Sequence, residues 1–472
     1  MLNKSSVCFR YTLENNLAVF YVTQILENGE VIQTATVTNN GADPIEHHFN
    51  LNLCLSLNRA SYGQLTEGGP ITLPRSKNAF KTTTHEIFKV TNPYLNAQFE
   101  ASVEMDGKAM QLESLDSLEA YAIRFLLEIF NHCDSPVMDL RTACQYQEAI
   151  KKVATGHLEW VFNVAERPDK FWGRSYLVTG TPKDKSTFQL DQQCYPLLEL
   201  CDYAEIFEDE DLVKRLVNGD TIKEVLQCLE ERRDSRTGLY PTDETPGDDV
   251  VENPYHFSSH VLLWRTYTRL RDLCAKVDPS DTDRVKRLDS MADKMRGDTI
   301  GSFTTHHPDI GKDVFAYSTD GHGKHEFYHD ANDVPTLFAE EWGFTKTPLE
   351  VEVWKNTMEF GLSTSNPGFC TGVYGGLGSR HSPGAWVLGY FQQLGYAVRI
   401  GDKKAAISVW KRITAAMQWD GTFSEAVDSN TAKCSSKAWF AWPGAMIGTL
   451  LSQMRANEEH KLWLDDLEQP EA

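Results

Sequence analysis

The stretch AWVLGYFQQLGYAVRIGDKKAAISVWKRITAAM, residues 385–417, contains two apolar patterns of helical period that are separated by Gly401-Asp402. On each side of that break apolar residues recur every three or four positions, which is typical of two amphipathic helices joined by a short turn. Such paired helices can cover each other's apolar faces. The stretch therefore predicts a domain that is built from helix hairpins.

Similar helical patterns fill the chain from about residue 142 onwards. They lie at 144–166, 192–207, 211–233, 258–277, 283–295, 334–344, 348–362 and 438–456. The helices show no fixed-length repeat of the solenoid kind, and the loops between them contain more Trp, Asp, His and Gly than simple connectors need. Long, chemically rich loops between paired helices favour an (α/α)6 toroid barrel over residues 142–472, with an active site at its loop-bearing end.

The first part of the chain has a different period. Short runs of alternating apolar and polar residues lie at 17–26, 31–38, 48–57 and 96–105. Turn signals such as Asn39-Asn40-Gly41 and Asp106-Gly107 separate them, and this pattern is typical of antiparallel strands. We expect residues 1–141 to form an N-terminal antiparallel β-sandwich, which gives an α+β multidomain fold for the 472 residues.

Composition narrows the possible partners. The 46 Lys and Arg against 67 Asp and Glu give a net charge of −21, and no long basic run interrupts this acidity. We therefore expect no binding to nucleic acid or to an anionic membrane. The 11 Trp, 17 Tyr and 23 Phe suit a large core and also suit sugar binding, because aromatic rings stack on pyranose faces. No oligomeric state follows from these patterns.

Targeting signals and cysteine spacing predict a cytoplasmic protein. The N-terminal residues contain no apolar signal region, and nowhere do 18 apolar residues run together. The chain enters strand-like sequence almost at once. An alternative explanation for the absent signal region is therefore that N-terminal residues are missing from this sequence. The 10 Cys form no CxxC pair and no zinc-site spacing, and Cys194, Cys201 and Cys228 lie within helical patterns. We expect reduced, buried thiols and neither a metal nor a cofactor.

Two acidic residues are candidates for a catalytic pair, such as the acid and base that cleave a glycosidic bond. Glu425 follows the Asp420-Gly421 turn and precedes an aromatic run that begins at Trp439. An acid in a loop is usually just solvated, but the nearby rings predict that Glu425 faces a ligand cavity. Asp191 begins an apolar helix pattern after a loop, where capping of the helix is an equally good explanation.

Three further loops contain clustered polar residues. One cluster is a platform for sugar hydroxyls, a solvated polar loop or, less readily, a metal site, since it lacks the HExxH order and the alternation of a calcium loop. It comprises His325, Glu326, His329, Asp330, Asn332 and Asp333. A glycine-rich loop without a phosphate-binding motif is interpreted as shaping the substrate site; it contains Tyr374, Arg380, His381 and Trp386. A long acidic loop predicts a cavity rim, or else a solvated loop; it contains Tyr240, Asp243, Asp248, Asp249, His256 and His260.

These residues carry a resemblance to a known family. The C-terminal two thirds of the chain resembles glycoside hydrolase family 125, the exo-acting, inverting α-1,6-mannosidases of the six-hairpin superfamily. The family's Asp-Ala-Asn-Val-Pro-Ser-Leu motif is similar to residues 330–337, with one residue inserted here, and its Gly-Ser-Pro-His-Thr-Pro-Pro-Gly loop is similar to residues 378–384. Its Glu-Ser-Phe-x-x-Asp and Trp-Phe-Ala-Trp-Ala-Asn motifs are similar to residues 425–428 and 439–444.

The resemblance implies roles for individual residues. Glu425 corresponds to the general base and Asp191 to the general acid. The family's Trp-Leu-Arg-Asp is Phe188-Gln189-Leu190-Asp191 here, so the arginine that precedes the acid is lost. The remaining candidates are expected to contact the sugar, through hydroxyls or as apolar walls. They are Asp330, Asn332, Arg380, His381, Trp386, Trp439, Phe440 and Trp442.

The expected function is therefore exo-hydrolysis of a terminal α-linked mannose or glucose by an inverting acid and base pair. Glucose stays in consideration because a β-sandwich followed by an (α/α)6 barrel is similar to glucoamylases and their relatives. Two alternatives remain open. The altered acid motif favours a sugar-binding or regulatory protein without catalysis, whereas a histidine pair or a catalytic Tyr at the pocket floor would favour an epimerase or lyase on the same barrel.

Overall fold

The protein is described here from a computed structural model. It covers residues 140–177, 179–183, 187–418 and 421–456, the strand segments 6–12, 17–25, 31–39, 79–84, 87–92 and 97–102, and positions 41, 126, 127 and 130. The chain divides into two compact units, Met1–Ser117 and Leu118–Ala472. The domain bounds 1–141 and 142–472 stay a prediction.

The described residues of the first unit form two antiparallel three-stranded sheets. The strands, in sheet order, are β1 (Ser6–Thr12), β2 (Leu17–Ile25) and β3 (Val31–Asn39), and then β4 (Ala79–Thr84), β5 (Ile87–Asn92) and β6 (Ala97–Ser102). In β3 Thr34, Thr36 and Thr38 are all exposed, which is the alternation expected of a strand with one polar face. The predicted strand at 48–57 lies outside the described residues, and a sandwich of the two sheets stays a prediction.

The second unit is mainly helical. Its helices are α1 (Leu140–Asn163), α2 (Tyr195–Ile206), α3 (Glu210–Val217), α4 (Asp220–Arg232), α5 (Phe257–Val277), α6 (Thr282–Phe303), α7 (Val334–Phe338), α8 (Pro348–Gly361), α9 (Val387–Arg399), α10 (Lys403–Ala416) and α11 (Ala441–Ala456). The predicted hairpin of residues 385–417 is confirmed as α9 and α10, which pack against each other.

Helices buried on most sides alternate with amphipathic ones along the chain. In α5, 13 of 21 residues are buried, whereas in the following α6 only 5 of 22 are buried, at intervals that mark one apolar face. The helices α2, α5, α7, α9 and α11 pack in that order, each against the next. We call these five the inner helices, and the others cover them from outside.

Several predicted helices differ from the structure in their bounds, for example 334–344, which ends at Phe338. The stretch 211–233 is interrupted at Asn218 and Gly219, and the chain forms α3 and α4 instead of one helix. The last helix was predicted from 438 but begins at Ala441, which leaves Trp439 and Phe440 in the preceding loop. Pro443 then lies in the first turn of α11, where its missing amide hydrogen is not needed by the helix.

Short antiparallel sheets organise the loops that lead into the inner helices. The strands β7 (Tyr255–His256), β10 (Ser318–Thr319) and β11 (His325–Glu326) form one such sheet, and β14 (Ala385–Trp386), β15 (Ala426–Val427) and β16 (Cys434–Ser436) form another. Two-stranded sheets pair β8 (Thr304–His307) with β9 (Lys312–Phe315) and β12 (Phe369–Cys370) with β13 (Gly376–Leu377). The backbone hydrogen bonds of these sheets hold the loop residues in position. Without them, only side-chain contacts would determine where these residues lie.

Within the described part of the chain, none of the helices combines the length and the apolar character that a bilayer-spanning segment requires.

Trp354 is the most informative position for testing the helical core. Its side chain is 1% exposed on α8, its indole Nε1 donates to the Thr336 carbonyl of α7 at 2.8 Å, and its ring meets Tyr396 of α9 edge-on. Trp354→Ala is expected to lower the free energy of unfolding by about 3–5 kcal/mol, because it leaves a cavity and an unpaired carbonyl.

Urea unfolding followed by far-ultraviolet circular dichroism measures this loss. Leu349→Ala is the matched control, since Leu349 is 67% exposed on the same helix and its truncation should change stability by less than about 0.5 kcal/mol. Equal unfolding midpoints for the two variants would contradict the described packing of α7, α8 and α9.

Candidate active site

The loops that precede the inner helices meet at one end of the helix ring. Each of the two candidate acids and each polar cluster lies in one of these loops, and the loops contact one another. The backbone amide of Ala331 donates to the carbonyl of Gly378, and that of Val387 to the carbonyl of Glu425, at 3.0 and 3.3 Å. Through such contacts the structure joins loops that lie far apart in the sequence.

Glu425 is held by backbone bonds on both sides. It lies immediately before β15, the central strand of the sheet β14-β15-β16. Its amide donates to the carbonyl of Lys437 at 3.1 Å, and its carbonyl accepts from the amide of Val387. The loop that contains Gly384 passes close to the backbone of β15. Only glycine fits there, because the φ of Gly384 is +114° and a Cβ would lie 2.4 Å from the Val427 carbonyl.

The Glu425 carboxylate is 1% exposed, and both of its oxygens contact donors. Its Oε2 accepts hydrogen bonds from the hydroxyls of Ser382 at 2.9 Å and Ser436 at 2.7 Å. Its Oε1 lies 2.6 Å from the Lys437 ammonium. Two hydroxyls and an ammonium therefore converge on this carboxylate, which fixes its orientation.

His381 connects this carboxylate to the acidic loop. Its Nε2 lies 3.4 Å from Lys437 Nζ, and its Nδ1 lies 3.8 Å from a carboxylate oxygen of Asp249. At 3.8 Å the second contact is an interaction of charges and not a hydrogen bond. Burial lowers the pKa of His381, but Asp249 and Glu425 outweigh burial and the opposing charge of Lys437, so that the pKa is raised on balance.

Asp191 lies on the other side of the same set of loops. It opens a 3-10 turn, Asp191–Gln193, directly before α2, and no side chain caps that turn or the helix after it. The capping explanation for Asp191 therefore does not apply. The segment before it is tied to the acidic loop, because the amide of Phe188 donates to Asp243 at 2.7 Å and that of Leu190 to Thr242 at 3.1 Å.

The environment of Asp191 favours the protonated acid. The side chain is 1% exposed, and its Oδ1 has no hydrogen-bond partner. Burial, and next the charge of Asp248, raise the pKa of Asp191 to about 7. Asp248 is itself buried, has a positive φ of 61°, and accepts from the Gln189 amide at 2.6 Å. An acid with this pKa can donate a proton near neutral pH.

The cluster around Asp330 forms a buried polar platform in the loop before α7. Its Oδ1 accepts from the backbone and side-chain nitrogens of Asn332 at 2.9 and 2.8 Å, and its Oδ2 accepts from the Tyr328 hydroxyl at 2.9 Å. Burial, and next the charge of Asp333, raise the pKa of Asp330 to about 6. Asp330 and Asn332 thus lie as close to the site as the sequence predicted, but they are largely engaged with each other.

Arg380 lies at the more exposed edge of this platform. Its guanidinium pairs with Glu326 at 2.6 Å and stacks over the Tyr328 ring, 3.9 Å from the centroid. Its backbone amide also donates to the Tyr328 hydroxyl, at 3.0 Å. Since half of the Arg380 side chain is exposed, the guanidinium retains a surface that a ligand can reach.

The predicted aromatic residues take different positions. Trp386 is 1% exposed and packs edge-on against His381 and Phe440, so it supports the site from behind. Trp439 is 73% exposed on the loop that follows Lys437. Phe440 and Trp442 lie between these extremes and meet each other edge-on. Of the four rings, Trp439 is therefore the most open to a ligand.

Sequence reasoning missed several residues that contact the two acids. Lys437, Ser382 and Ser436 surround Glu425, and Gln189 links Asp248 to Glu244, which Arg174 also contacts at 3.0 Å. Lys437 lies just before the aromatic run that begins at Trp439. This position is the only feature of the local sequence that connects Lys437 with the site. Asp248 and Asp249 were assigned only to a cavity rim.

A cavity lies away from these acids. It has a volume of about 570 Å³ and is walled by the inner helices, through residues such as Leu262, Phe338, Phe391 and Met446. Neither Asp191 nor Glu425 lines it. Among the residues that the structure describes, no three His, Cys, Asp or Glu side chains are arranged to hold a metal ion.

The match of residues 214–452 to a glycoside hydrolase family makes this chain, with its buried carboxylates in the loops before buried helices, a carbohydrate-processing enzyme of the six-hairpin fold. Residues 214–452 match the family of metal-independent alpha-mannosidases, GH125. This match spans just over half of the chain, which therefore belongs to the GH125 family. Glu425 lies within the matched residues, whereas Asp191 precedes them.

Individual relatives agree with this assignment. The meiotically up-regulated gene 157 protein of Schizosaccharomyces pombe is 26% identical over 222 residues, which are 46% of this chain and 42% of that protein. The chain thus matches less than half the length of this curated relative. A metal-independent alpha-mannosidase of Streptococcus pneumoniae, solved in a non-productive complex with alpha-1,6-mannobiose, shares the fold with a TM-score of 0.57 and 17% identity, over 71% of this chain and 84% of that one.

A cellobiose 2-epimerase of Spirochaeta thermophila gives a TM-score of 0.46 and 14% identity, over 72% of this chain and 86% of its own.

Burial of Asp191 predicts a pH-dependent stability. An unfolded aspartate has a pKa near 3.9, and the pKa of about 7 in the folded protein means that the folded state retains a proton which the unfolded state has lost. The contribution of Asp191 to stability is therefore fully present below about pH 3.9 and is lost as the pH rises through about 7. Asp191→Asn should gain stability relative to wild type between pH 5 and pH 8, by on the order of 2 kcal/mol.

Urea unfolding of both proteins at the two pH values measures this difference. Asp283→Asn is the control, because Asp283 is an exposed acid of the same unit on α6, and its difference from wild type should be similar at the two pH values. A difference for Asp191→Asn that is equally independent of pH would show that the folded protein does not hold a proton on Asp191.

Proposed function

We propose that this chain is an exo-acting, inverting α-mannosidase in which Asp191 is the general acid and Glu425 is the general base. One observation carries the proposal. Two carboxyl groups, each 1% exposed, lie in loops at the same end of the helix ring and have opposite electrostatic surroundings. Burial and Asp248 raise the pKa of Asp191, while Lys437 and two serine hydroxyls surround the charge of Glu425.

Asp191 supplies the proton to the leaving group. Cleavage of a glycosidic bond places negative charge on the departing oxygen, and a carboxylic acid nearby can neutralise it as the bond breaks. A pKa of about 7 leaves a large fraction of Asp191 protonated near neutral pH. Among the described residues Oδ1 has no hydrogen-bond partner, so this oxygen is available to face the leaving group.

Glu425 activates the attacking water. In an inverting reaction a carboxylate removes a proton from water on the face of the sugar ring opposite the leaving group. The two serine hydroxyls hold Oε2 in one orientation, so Oε1 is the oxygen left to accept from water. Asp191 recovers its proton from solvent after the product leaves.

The residues between the two acids recognise the sugar. Asp330, Asn332, His381 and Arg380 present carboxylate, amide, imidazole and guanidinium groups suited to hydroxyls, and Trp439 offers an exposed ring face for a pyranose. Behind these groups, the rings of Trp386, Phe440 and Trp442 pack against one another as an apolar layer. Membership of GH125 favours mannose over glucose, and the alpha-1,6-mannobiose in the Streptococcus pneumoniae structure suggests an α-1,6 linkage.

An epimerase is the second candidate, because the structure contains a buried histidine pair. His256 and His329 flank Asp333, at 3.2 and 3.9 Å. Each ring is also engaged elsewhere, His256 with Ser259 and His329 with Gln392, both at 2.9 Å. Burial, the largest influence, lowers the pKa of His329. This pair looks more like a support for Asp333 than a pair of free bases, so the glycosidase remains the better assignment.

Sugar release tests the proposal directly. We expect wild type to liberate mannose from α-1,6-mannobiose, and Asp191→Asn and Glu425→Gln each to lose at least a hundredfold in kcat/KM, since each removes one half of the proton transfer. The control is Asp283→Asn, a change of an exposed acid on α6, which should retain most activity. Nuclear magnetic resonance of the fresh product should show the β anomer first, as inversion requires.

Each other outcome points to a definite alternative. Release of glucose but not mannose from matched α-linked disaccharides would replace the mannosidase by a glucosidase. A change of configuration at the reducing sugar without cleavage would favour the epimerase. Sugar binding by wild type without turnover on any of these substrates would favour a non-catalytic protein.

A further inference from the structure

Lys437 contacts Glu425 through both its side chain and its backbone. Its ammonium lies 2.6 Å from Glu425 Oε1, and its carbonyl accepts from the Glu425 amide at 3.1 Å. Glu425 is 1% exposed, while the Lys437 side chain is 28% exposed. The lysine thus lies between a buried carboxylate and the open side of the site.

The backbone of Lys437 has an uncommon conformation. Its φ of 37° lies in the left-handed region, which residues with a side chain seldom adopt. The residue follows the last position of β16 and precedes the loop that contains Trp439. The reversal there turns the lysine side chain back towards β15 and Glu425. Conformations of this kind persist where the surrounding structure requires them, and they cluster at functional sites.

The donors around Glu425 leave one direction open for a further bond. A carboxylate can accept about four hydrogen bonds, two on each oxygen. Ser382 and Ser436 occupy Oε2, and Lys437 occupies one position on Oε1. The remaining position is on Oε1, beside the Lys437 ammonium. A water bound there would touch both the carboxylate and the lysine.

We propose that Lys437 is a positioning residue that keeps Glu425 ionised and directs its last free lone pair, and with it the attacking water, towards the substrate. The inference rests on the proposed role of Glu425 as the general base. In the reaction the proton moves from water to Glu425 Oε1 as the water oxygen bonds to the sugar carbon, and Lys437 keeps its own protons throughout.

The charged groups around Glu425 define how the reaction should respond to pH. Lys437 approaches from the segment after β16, and His381 approaches from the loop before β14, with Asp249 beyond it on the loop before β7. Lys437 is the cation in direct contact with the carboxylate. Its loss leaves His381, which contacts the lysine and not Glu425, and so cannot take its place without moving.

Substitution of Lys437 separates this role from a structural one. Lys437→Ala should lower kcat at least tenfold and move the acidic limb of the kcat/KM profile to higher pH, by about one to three pH units, because a buried carboxylate without its cation is protonated more easily. Lys437→Arg should preserve the position of that limb. Ethylammonium added to Lys437→Ala should restore part of the activity in a saturable manner by filling the vacated position.

Lys433→Ala is the matched control, since Lys433 is an exposed lysine four residues earlier on the same segment. It should reproduce the wild-type pH profile and show no response to ethylammonium. An acidic limb that stays in place in Lys437→Ala, with no rescue, would overturn the inference, even if kcat falls. Inactivity of wild type itself on the mannosides would instead refute the proposed function, so the two failures are distinguishable.

Discussion

Removal of several carboxyl groups from water is the constraint on which the site depends. Asp191, Asp330, Asp333 and Glu425 are each no more than 2% exposed, and a buried charge without partners is costly. The free-energy cost of burial is offset in a different way at each of these carboxyl groups. Glu425 receives an ammonium and two hydroxyls, Asp330 receives Asn332 and Tyr328, and Asp191 receives few donors and has a pKa near neutrality. The proposed division into base, platform and acid follows from these three environments.

The helix ring supplies the framework for that difference. Because the inner helices pack in sequence and are buried on most sides, the polar residues of the site are concentrated in the loops before their N-termini. The sheet β14-β15-β16 fixes Glu425 by main-chain bonds, whereas Asp191 is fixed by a helical turn and by the acidic loop beside it. The base is therefore held by the backbone itself. The acid depends on contacts between loops, and its pKa responds to the position of Asp248.

Features that depend on local interactions could be predicted from the sequence, whereas features that depend on contacts between distant residues could not. The helices were predictable because periodicity is a local property, and the 385–417 hairpin was located almost to the residue. Glu425 gave a local signal through the aromatic run after it. The environment of Asp191 gave none, because its neighbour Asp248 is distant in the sequence and its lack of a capping role is visible only in three dimensions. Lys437 was missed for the same reason, since its contact depends on a backbone reversal that no composition rule marks.

The departure of the acid motif from the family pattern can be understood from the same electrostatics. Leu190 stands where the family has an arginine, and the amide of the neighbouring Gln189 contacts Glu244 and Asp248, while Arg174 pairs with Glu244. A cation immediately beside Asp191 would favour the ionised form and lower its pKa, whereas the apolar Leu190 and the neutral amide of Gln189 do not. The substitution is therefore compatible with a protonated acid. What it removes is a charged donor for sugar hydroxyls, so its expected effect falls on substrate recognition more than on proton transfer.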